Sequence, residues 1–131
     1  MMKSQKPIRI LAVDDNLVNL FLIRTIISKL CPKAEIITAE DGEESIEIFR
    51  KSAKFDLILM DIQLPGINGY EASKKIKKIA QNKPVPIVAL SANNMDDMRS
   101  KGKLSGIDDF LSKPILFEPT EKILKKYIFN K

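Results

Sequence analysis

Four consecutive apolar residues, Leu57 to Met60, run directly into Asp61, and the loop Ile62-Gln63-Leu64-Pro65-Gly66-Ile67-Asn68-Gly69 follows. An uninterrupted apolar run of this kind reads as a parallel strand buried on both faces, which requires helices above and below the sheet. A carboxylate at the carboxyl end of such a strand stands where open α/β sheets carry their chemistry. Pro65, Gly66 and Gly69 suit a tight, irregular backbone beside it.

The rest of the chain repeats the alternation. Ile8 to Val13 reads as a first strand ended by Asp14-Asp15-Asn16. Leu17, Leu20, Phe21, Arg24, Ile27 and Ser28 then recur at helical spacing as far as Leu30-Cys31-Pro32, where proline stops the helix. Ala34 to Thr38 is a short second strand. Asp41 caps the next helix, Glu44 is placed to complete a capping box, and Ile46, Ile48 and Phe49 supply the buried side. The third strand runs from about Phe55 to Met60. A helix opening at Asn68 or Gly69 carries Tyr70, Ala72, Ser73, Ile76 and Ile79 towards Asn82, and Ile87 to Leu90 is a strand leading to Ser91. Asn93 to about Leu104 is the weakest helix, with Gly102 inside a thin apolar face, so a locally mobile element is expected there. Ile107 to Leu111 is a fifth strand, Ser112-Lys113-Pro114 follows, and Glu118 to Phe129 closes the chain as a helix with Pro119 in its first turn. Strand then helix, five times with right-handed crossovers, makes an α/β protein whose parallel sheet is covered on both faces.

At 131 residues a single domain over 1–131 is expected, and 44% hydrophobic with 30% charged residues describes neither a disordered nor a membrane chain. The apolar runs are far too short to span a bilayer and the first residues offer no secretory signal, so the expected location is cytoplasmic. Cys31 is the one cysteine; it allows no intramolecular disulfide and is read as a small buried residue closing a helix. The 22 basic residues outnumber the 17 acidic ones by enough for a net charge of +5. They are spread over Lys74, Lys75, Lys77 and Lys78 and over Lys122, Lys125, Lys126 and Lys131, which reads as solvated helix faces. No recognition helix or stacking platform can be picked out, so direct nucleic-acid binding is not expected.

Asp14 and Asp15 end the first strand and Asp61 ends the third. If those strands are neighbours the three carboxylates meet at one edge of the sheet, where without a cation they repel. Mg²⁺, which prefers oxygen ligands, resolves the crowding. Lys113, after the fifth strand, is the complementary cation, and Ser91, at the end of the fourth, a hydroxyl donor. Such a set suits phosphoryl transfer to a carboxylate, with Asp61 as an already ionised nucleophile and Lys113 with Ser91 receiving charge on the phosphoryl oxygens.

Asp14-Asp15, the run Met60-Asp61-Ile62-Gln63-Leu64-Pro65-Gly66 with Gly69, Ala89-Leu90-Ser91-Ala92, and Asp108-Asp109-Phe110-Leu111-Ser112-Lys113-Pro114 together resemble the receiver (response regulator, CheY-like) domain of two-component phosphorelay signalling. The resemblance covers about Ile8 to Ile128 and is greatest to receivers of hybrid histidine kinases. It implies a flavodoxin-like (βα)5 three-layer sandwich with a sheet of order 2-1-3-4-5, and Asp61 as phosphoacceptor. The implied donor is a phosphohistidine on a histidine kinase or histidine phosphotransfer protein. Metal ligation carries over to Asp15, Asp61 and the backbone carbonyl of Gln63, with Asp14 acting through water. Ser91 and Phe110 take the switch positions, although Phe110 reads equally as a static core aromatic. The surface of residues 93–128 is the one a downstream protein would read, and a weak homodimer is a further expected partner. The implied protein is a signalling phosphoacceptor that catalyses its own phosphorylation and dephosphorylation, not a classical enzyme.

Three alternatives stand beside this reading. One is a receiver excised from a hybrid histidine kinase or larger regulator. Another is an FMN-binding electron carrier on the same sheet, against which Asp14-Asp15-Asn16-Leu17 offers carboxylates where a phosphate cradle is needed. The third is a Mg-dependent aspartyl phosphatase, which wants a second acid just after the nucleophile, where Ile62 and Gln63 stand.

Overall fold

β3 (Leu57–Asp61) is buried along its whole length and forms the middle of a five-stranded sheet. The computed structural model describes residues 8–52, 54–81, 84–92 and 105–129. β3 pairs with β1 (Arg9–Val13) on one side and β4 (Ile87–Ser91) on the other, while β2 (Glu35–Ala39) and β5 (Asp109–Ser112) form the edges. Every pair is parallel and the order is β2-β1-β3-β4-β5, the expected flavodoxin-like arrangement.

Successive strand residues face opposite sides of the sheet, and the core divides accordingly. On one side Leu11, Val13, Ile58, Met60, Ile87 and Ala89 pack against Ile46 and Phe49 of α2 (Gly42–Ser52) and Ala72 and Ile76 of α3 (Gly69–Ile79). On the other, Ile10, Ala12, Leu57, Leu59, Val88 and Leu90 meet Ile23 and Ile27 of α1 (Leu17–Leu30) and Ile123 and Leu124 of α4 (Phe117–Leu124). Covering both faces is what demands the continuous apolar runs of the central strands. Among the described residues no helix is long and apolar enough to cross a membrane.

Several local expectations shift. The apolar spacing of α1 includes Leu17 and Phe21, yet these are 65% and 71% exposed, and the buried stripe is Leu20, Ile23, Ile26 and Ile27. At 3.6 residues per turn the two exposed positions lie roughly a quarter turn or more from the centre of that stripe. β2 and β5 each start later in the chain than expected. The closing helix divides into α4 and a π-helical turn, Lys125–Phe129, in which Tyr127 donates to Asp109 Oδ2 at 3.1 Å. The capping box at α2 forms with a longer reach: Asp41 Oδ1 accepts from Glu44 N at 2.7 Å, and Glu44 Oε1 accepts from Glu40 N at 2.8 Å. Cys31 ends α1, its N–H on Ile27 O at 2.7 Å, but it is only half-buried. The third helix stops at Ile79, its Ala80 N–H on Ile76 O at 2.9 Å, earlier than the expected stop at Asn82. The expected helix from Asn93 to Leu104 lies outside the described residues.

Charged side chains tie the amino ends of the strands. Arg9 Nε meets Glu35 Oε1 at 2.8 Å, its guanidinium donates to Ser52 Oγ at 2.6 Å and stacks 4.6 Å over the Phe55 ring, and its backbone N–H donates to Asp56 Oδ2 at 2.8 Å. Across the sheet, Lys77 Nζ donates to Val85 O at 2.8 Å and to Asp108 Oδ2 at 2.9 Å, an oxygen that also accepts from Ile87 N at 2.9 Å.

Candidate functional site

The chemistry collects at the opposite, carboxyl end of the strands. Asp14 follows β1 directly, is fully buried, and has its N–H on Ala39 O at 3.1 Å. Its carboxylate is held by the start of α1. Asn16 N donates to Oδ1 at 2.9 Å and Asn19 Nδ2 to Oδ2 at 3.2 Å, while the Asn16 side chain caps the helix by accepting from Asn19 N at 3.0 Å. Asp61 is the last residue of β3 and 1% exposed. One of its oxygens, Oδ1, accepts from Gln63 N at 2.8 Å; the other, Oδ2, accepts from Lys113 Nζ at 2.6 Å. The same ammonium lies 3.2 Å from Asp14 Oδ2.

Lys113 is anchored through its own N–H to Ser91 O at 2.8 Å, and the peptide bond to Pro114 is cis. Ser91 is buried at the end of β4, one residue beyond Leu90, which stands opposite Asp61 in the ladder. Asp15 is exposed beside them, and Asp14, Asp15 and Asp61 each bring a carboxylate oxygen within 4.8 Å of the others. The acid triplet, Ser91 and Lys113 therefore gather at one sheet edge, as their strand-end positions lead one to expect. Phe110 is half-buried against the α2–α3 side of the core.

Close backbone approach shapes the loop after Asp61. A Cβ on Gly69 would lie 2.2 Å from Asp61 O and 2.6 Å from Ile62 Cα, so only glycine lets α3 begin against the end of β3. Gly66, at φ 75, occupies the left-handed region that glycine tolerates.

Burial pushes the Asp61 carboxyl pKa up, and although hydrogen bonds from Lys113 and Gln63 oppose this, the charge of Asp14 adds to the rise. For Lys113, burial alone would lower the pKa, but the hydrogen bond to Asp61 and the charges of Asp61 and Asp14 outweigh it, and the pKa rises. Both values rise, which favours the neutral form of Asp61 but the charged form of Lys113, because one ammonium faces two buried carboxylates: the lysine has a surplus of partners and Asp61 a shortage. Oxygen donors crowded round a deficit of positive charge are the set a hard divalent cation favours.

Two features escaped the sequence. Asp14 is as enclosed as Asp61 and touches Lys113 directly. Asn19 holds the Asp14 carboxylate, and its only signal was a polar residue one turn into a helix that begins beside the acid pair.

The family model for the response regulator receiver domain matches residues 10–126. Sensor protein GacS of Pseudomonas syringae pv. syringae is 35% identical over 127 residues, which cover 95% of this chain; the chain spans 14% of that protein's length. Among solved structures, the receiver domain of sensor histidine kinase PA1611 from Pseudomonas aeruginosa PAO1, described with a magnesium ion coordinated in its active site cleft, superposes with a TM-score of 0.82. It is 31% identical, with 95% of this chain and 99% of that chain covered. The receiver domain of Ssk1, crystallised with the histidine phosphotransfer protein Ypd1 of Saccharomyces cerevisiae, gives a TM-score of 0.83 at 31% identity, covering 95% and 91%.

Proposed function

The chain belongs to the response regulator receiver family, and from that premise we propose that residues 1–131 form one receiver domain that accepts a phosphoryl group on Asp61. The observation that carries this reading is the pairing of Lys113 with Asp61 inside a triplet of carboxylates drawn from two neighbouring strands. Asp15, Asp61 and the Gln63 carbonyl would hold Mg²⁺, with Asp14 behind them, and the bound ion would neutralise charge on the incoming phosphoryl oxygens. The magnesium described in the PA1611 receiver supports that assignment.

An Asp61 carboxylate oxygen attacks phosphorus, the bond from phosphorus to the donor nitrogen breaks, and the imidazole leaves. Gln63 N–H and Lys113 Nζ orient the nucleophile, one on each oxygen. As charge passes to the phosphoryl group, Lys113 transfers its hydrogen bond to a phosphoryl oxygen and Ser91 donates to another. Water later removes the group, so the domain is a signalling phosphoacceptor that turns over its own modification.

A histidine kinase or a histidine phosphotransfer protein is the donor class, supported by the kinase relatives and by the Ssk1 complex. Apolar side chains flank the site in the chain on both sides: Leu17, Val18 and Phe21 follow Asp14 to Asn16, and Leu116 and Phe117 follow Lys113 to Ile115, all exposed. Phe110 and the surface of residues 93–128 are the proposed route to a downstream protein.

Purified chain incubated with Mg²⁺ and acetyl phosphate should gain the mass of one phosphoryl group, and Asp61→Asn should gain none while keeping its circular dichroism spectrum. Labelling that persists in Asp61→Asn overturns the assignment of the phosphoacceptor.

A further inference from the structure

Gly42 opens α2 and is buried, although its backbone lies outside the left-handed region that would call for glycine. Alanine is the better helix former by about 1 kcal/mol, so helix formation does not explain glycine here. Space does. A Cβ at position 42 would stand 2.7 Å from Ile67 Cγ1, 3.2 Å from Ile67 Cδ1 and 3.0 Å from Ile67 O. Ile67 belongs to the loop between β3 and α3, and its side chain packs on the core beneath α2. One residue earlier, Gly66 lies under the Glu43 side chain, whose oxygens would be 3.0 and 3.2 Å from a Cβ placed there.

The first turn of α2 is itself firmly held. Asp41 Oδ1 accepts from Glu44 N at 2.7 Å, Ser45 Oγ donates to Gly42 O at 2.7 Å, and Glu44 Oε1 takes the Glu40 N–H. The loop that rests on this wall is short and pinned at both ends: Gln63 N–H is on Asp61 Oδ1 at one end, and Gly69 N–H is on Ile62 O at 3.3 Å at the other. A displacement at Ile67 therefore has little slack to absorb it before Gln63 and Asp61 move.

We propose that Gly42 is a positioning residue for the phosphoacceptor site: the missing side chain is a notch that seats Ile67 and so fixes the course of the loop carrying Gln63. The α2 helix, which contributes no group to the chemistry, sets the geometry of the site through that contact. The expected effect on metal binding rests on the receiver reading above; the effect on the loop does not.

The test is a cycle of four proteins: the full chain, Gly42→Ala, Ile67→Ala and the double variant. Mg²⁺ affinity is read by calorimetry, labelling by acetyl phosphate, and the loop by the Gln63 amide proton shift without metal. Gly42→Ala should weaken Mg²⁺ binding about tenfold, the low end of what displacing a ligand's support costs. It should slow labelling and move the Gln63 amide shift, with no fall in helix content. In the Ile67→Ala background the same glycine change should have a clearly smaller effect on all three, because the two side-chain atoms it strikes are gone and only Ile67 O, at 3.0 Å, remains.

If Gly42→Ala leaves the Gln63 shift and Mg²⁺ affinity unchanged, or does equal harm with and without the Ile67 side chain, the proposal is overturned. Should Gly42→Ala fail to fold, a folded double variant supports the notch and an unfolded one refutes it. If the parent chain neither binds Mg²⁺ nor takes the label, the receiver reading fails, while the Gln63 shift across the cycle still decides the positioning claim.

Discussion

Lys113 Nζ lies 2.6 Å from Asp61 Oδ2, joining residues 52 apart in the chain, and both groups are largely withdrawn from water. The pair is not balanced, since Asp14 shares the same ammonium. Removing one partner of a buried ion pair costs more than the pair contributes, because the charge left behind has no solvent.

Lys113→Met should therefore destabilise the metal-free protein by about 3 kcal/mol, the cost typical of orphaning a buried charge. Mg²⁺ should restore a larger share of stability in this variant than in the parent, which paired urea melts with and without the ion would measure. Equal stability of variant and parent without metal would show that the lysine does not neutralise the two acids.

The pH response follows from Asp61. Its folded pKa is raised above 3.8, so the proton binds more tightly in the folded state. The stability this contributes is fully present below 3.8 and is lost as pH rises through the folded value. Metal competes for the same carboxylate, so the rise in melting temperature produced by Mg²⁺ should be larger near neutral pH than near about pH 5. Asp109 has the opposite sign. Burial alone would raise its pKa, but hydrogen bonds from Phe110 N–H, Lys126 and Tyr127 lower it, so its contribution is present above 3.8 and is lost as pH falls through the folded value.

Gly69→Ala should be among the most damaging single substitutions. The new methyl would strike backbone alone, at Asp61 O and Ile62 Cα, which no rotamer change can relieve. A loss of about 3 kcal/mol, the upper part of the usual range for overpacking, is expected in chemical denaturation, with labelling abolished.

Both tyrosines should ionise above 10.0. Burial raises Tyr70, and burial followed by the hydrogen bond to Asp109 raises Tyr127. Ultraviolet titration of phenolate absorbance will read the two together, and Asp109→Asn should bring Tyr127 down while leaving Tyr70 in place. Unchanged titration in Asp109→Asn would contradict the contact between Tyr127 and Asp109.

The sheet was legible because it depends on patterns that a single strand displays: an apolar run such as Leu57 to Met60 has one good explanation, and the polar residue at its end marks the edge where function gathers. Asp14, Asp15, Asp61, Ser91 and Lys113 could be grouped from those strand ends alone. Relationships between side chains of different elements were less accessible. Nothing in the local pattern says that Leu17 and Phe21 face outwards, since the apolar spacing of α1 admits more than one stripe. Glycine at 42 drew no reading from the sequence, because its reason lies in Ile67, far along the chain. The shared grip of Lys113 on Asp14 depends on how deeply β1 sinks at its end, which composition does not encode.

The ties made by Arg9 and Lys77 at the amino ends of the strands have a practical consequence for engineering. They close the far side of the sheet with contacts that do not include the reacting groups. Exposed side chains on the carboxyl side can therefore be exchanged, with new partner preferences grafted at Leu17, Val18 and Phe21 or at Leu116 and Phe117, while Asp15, Asn16 and the frame beneath stay in place.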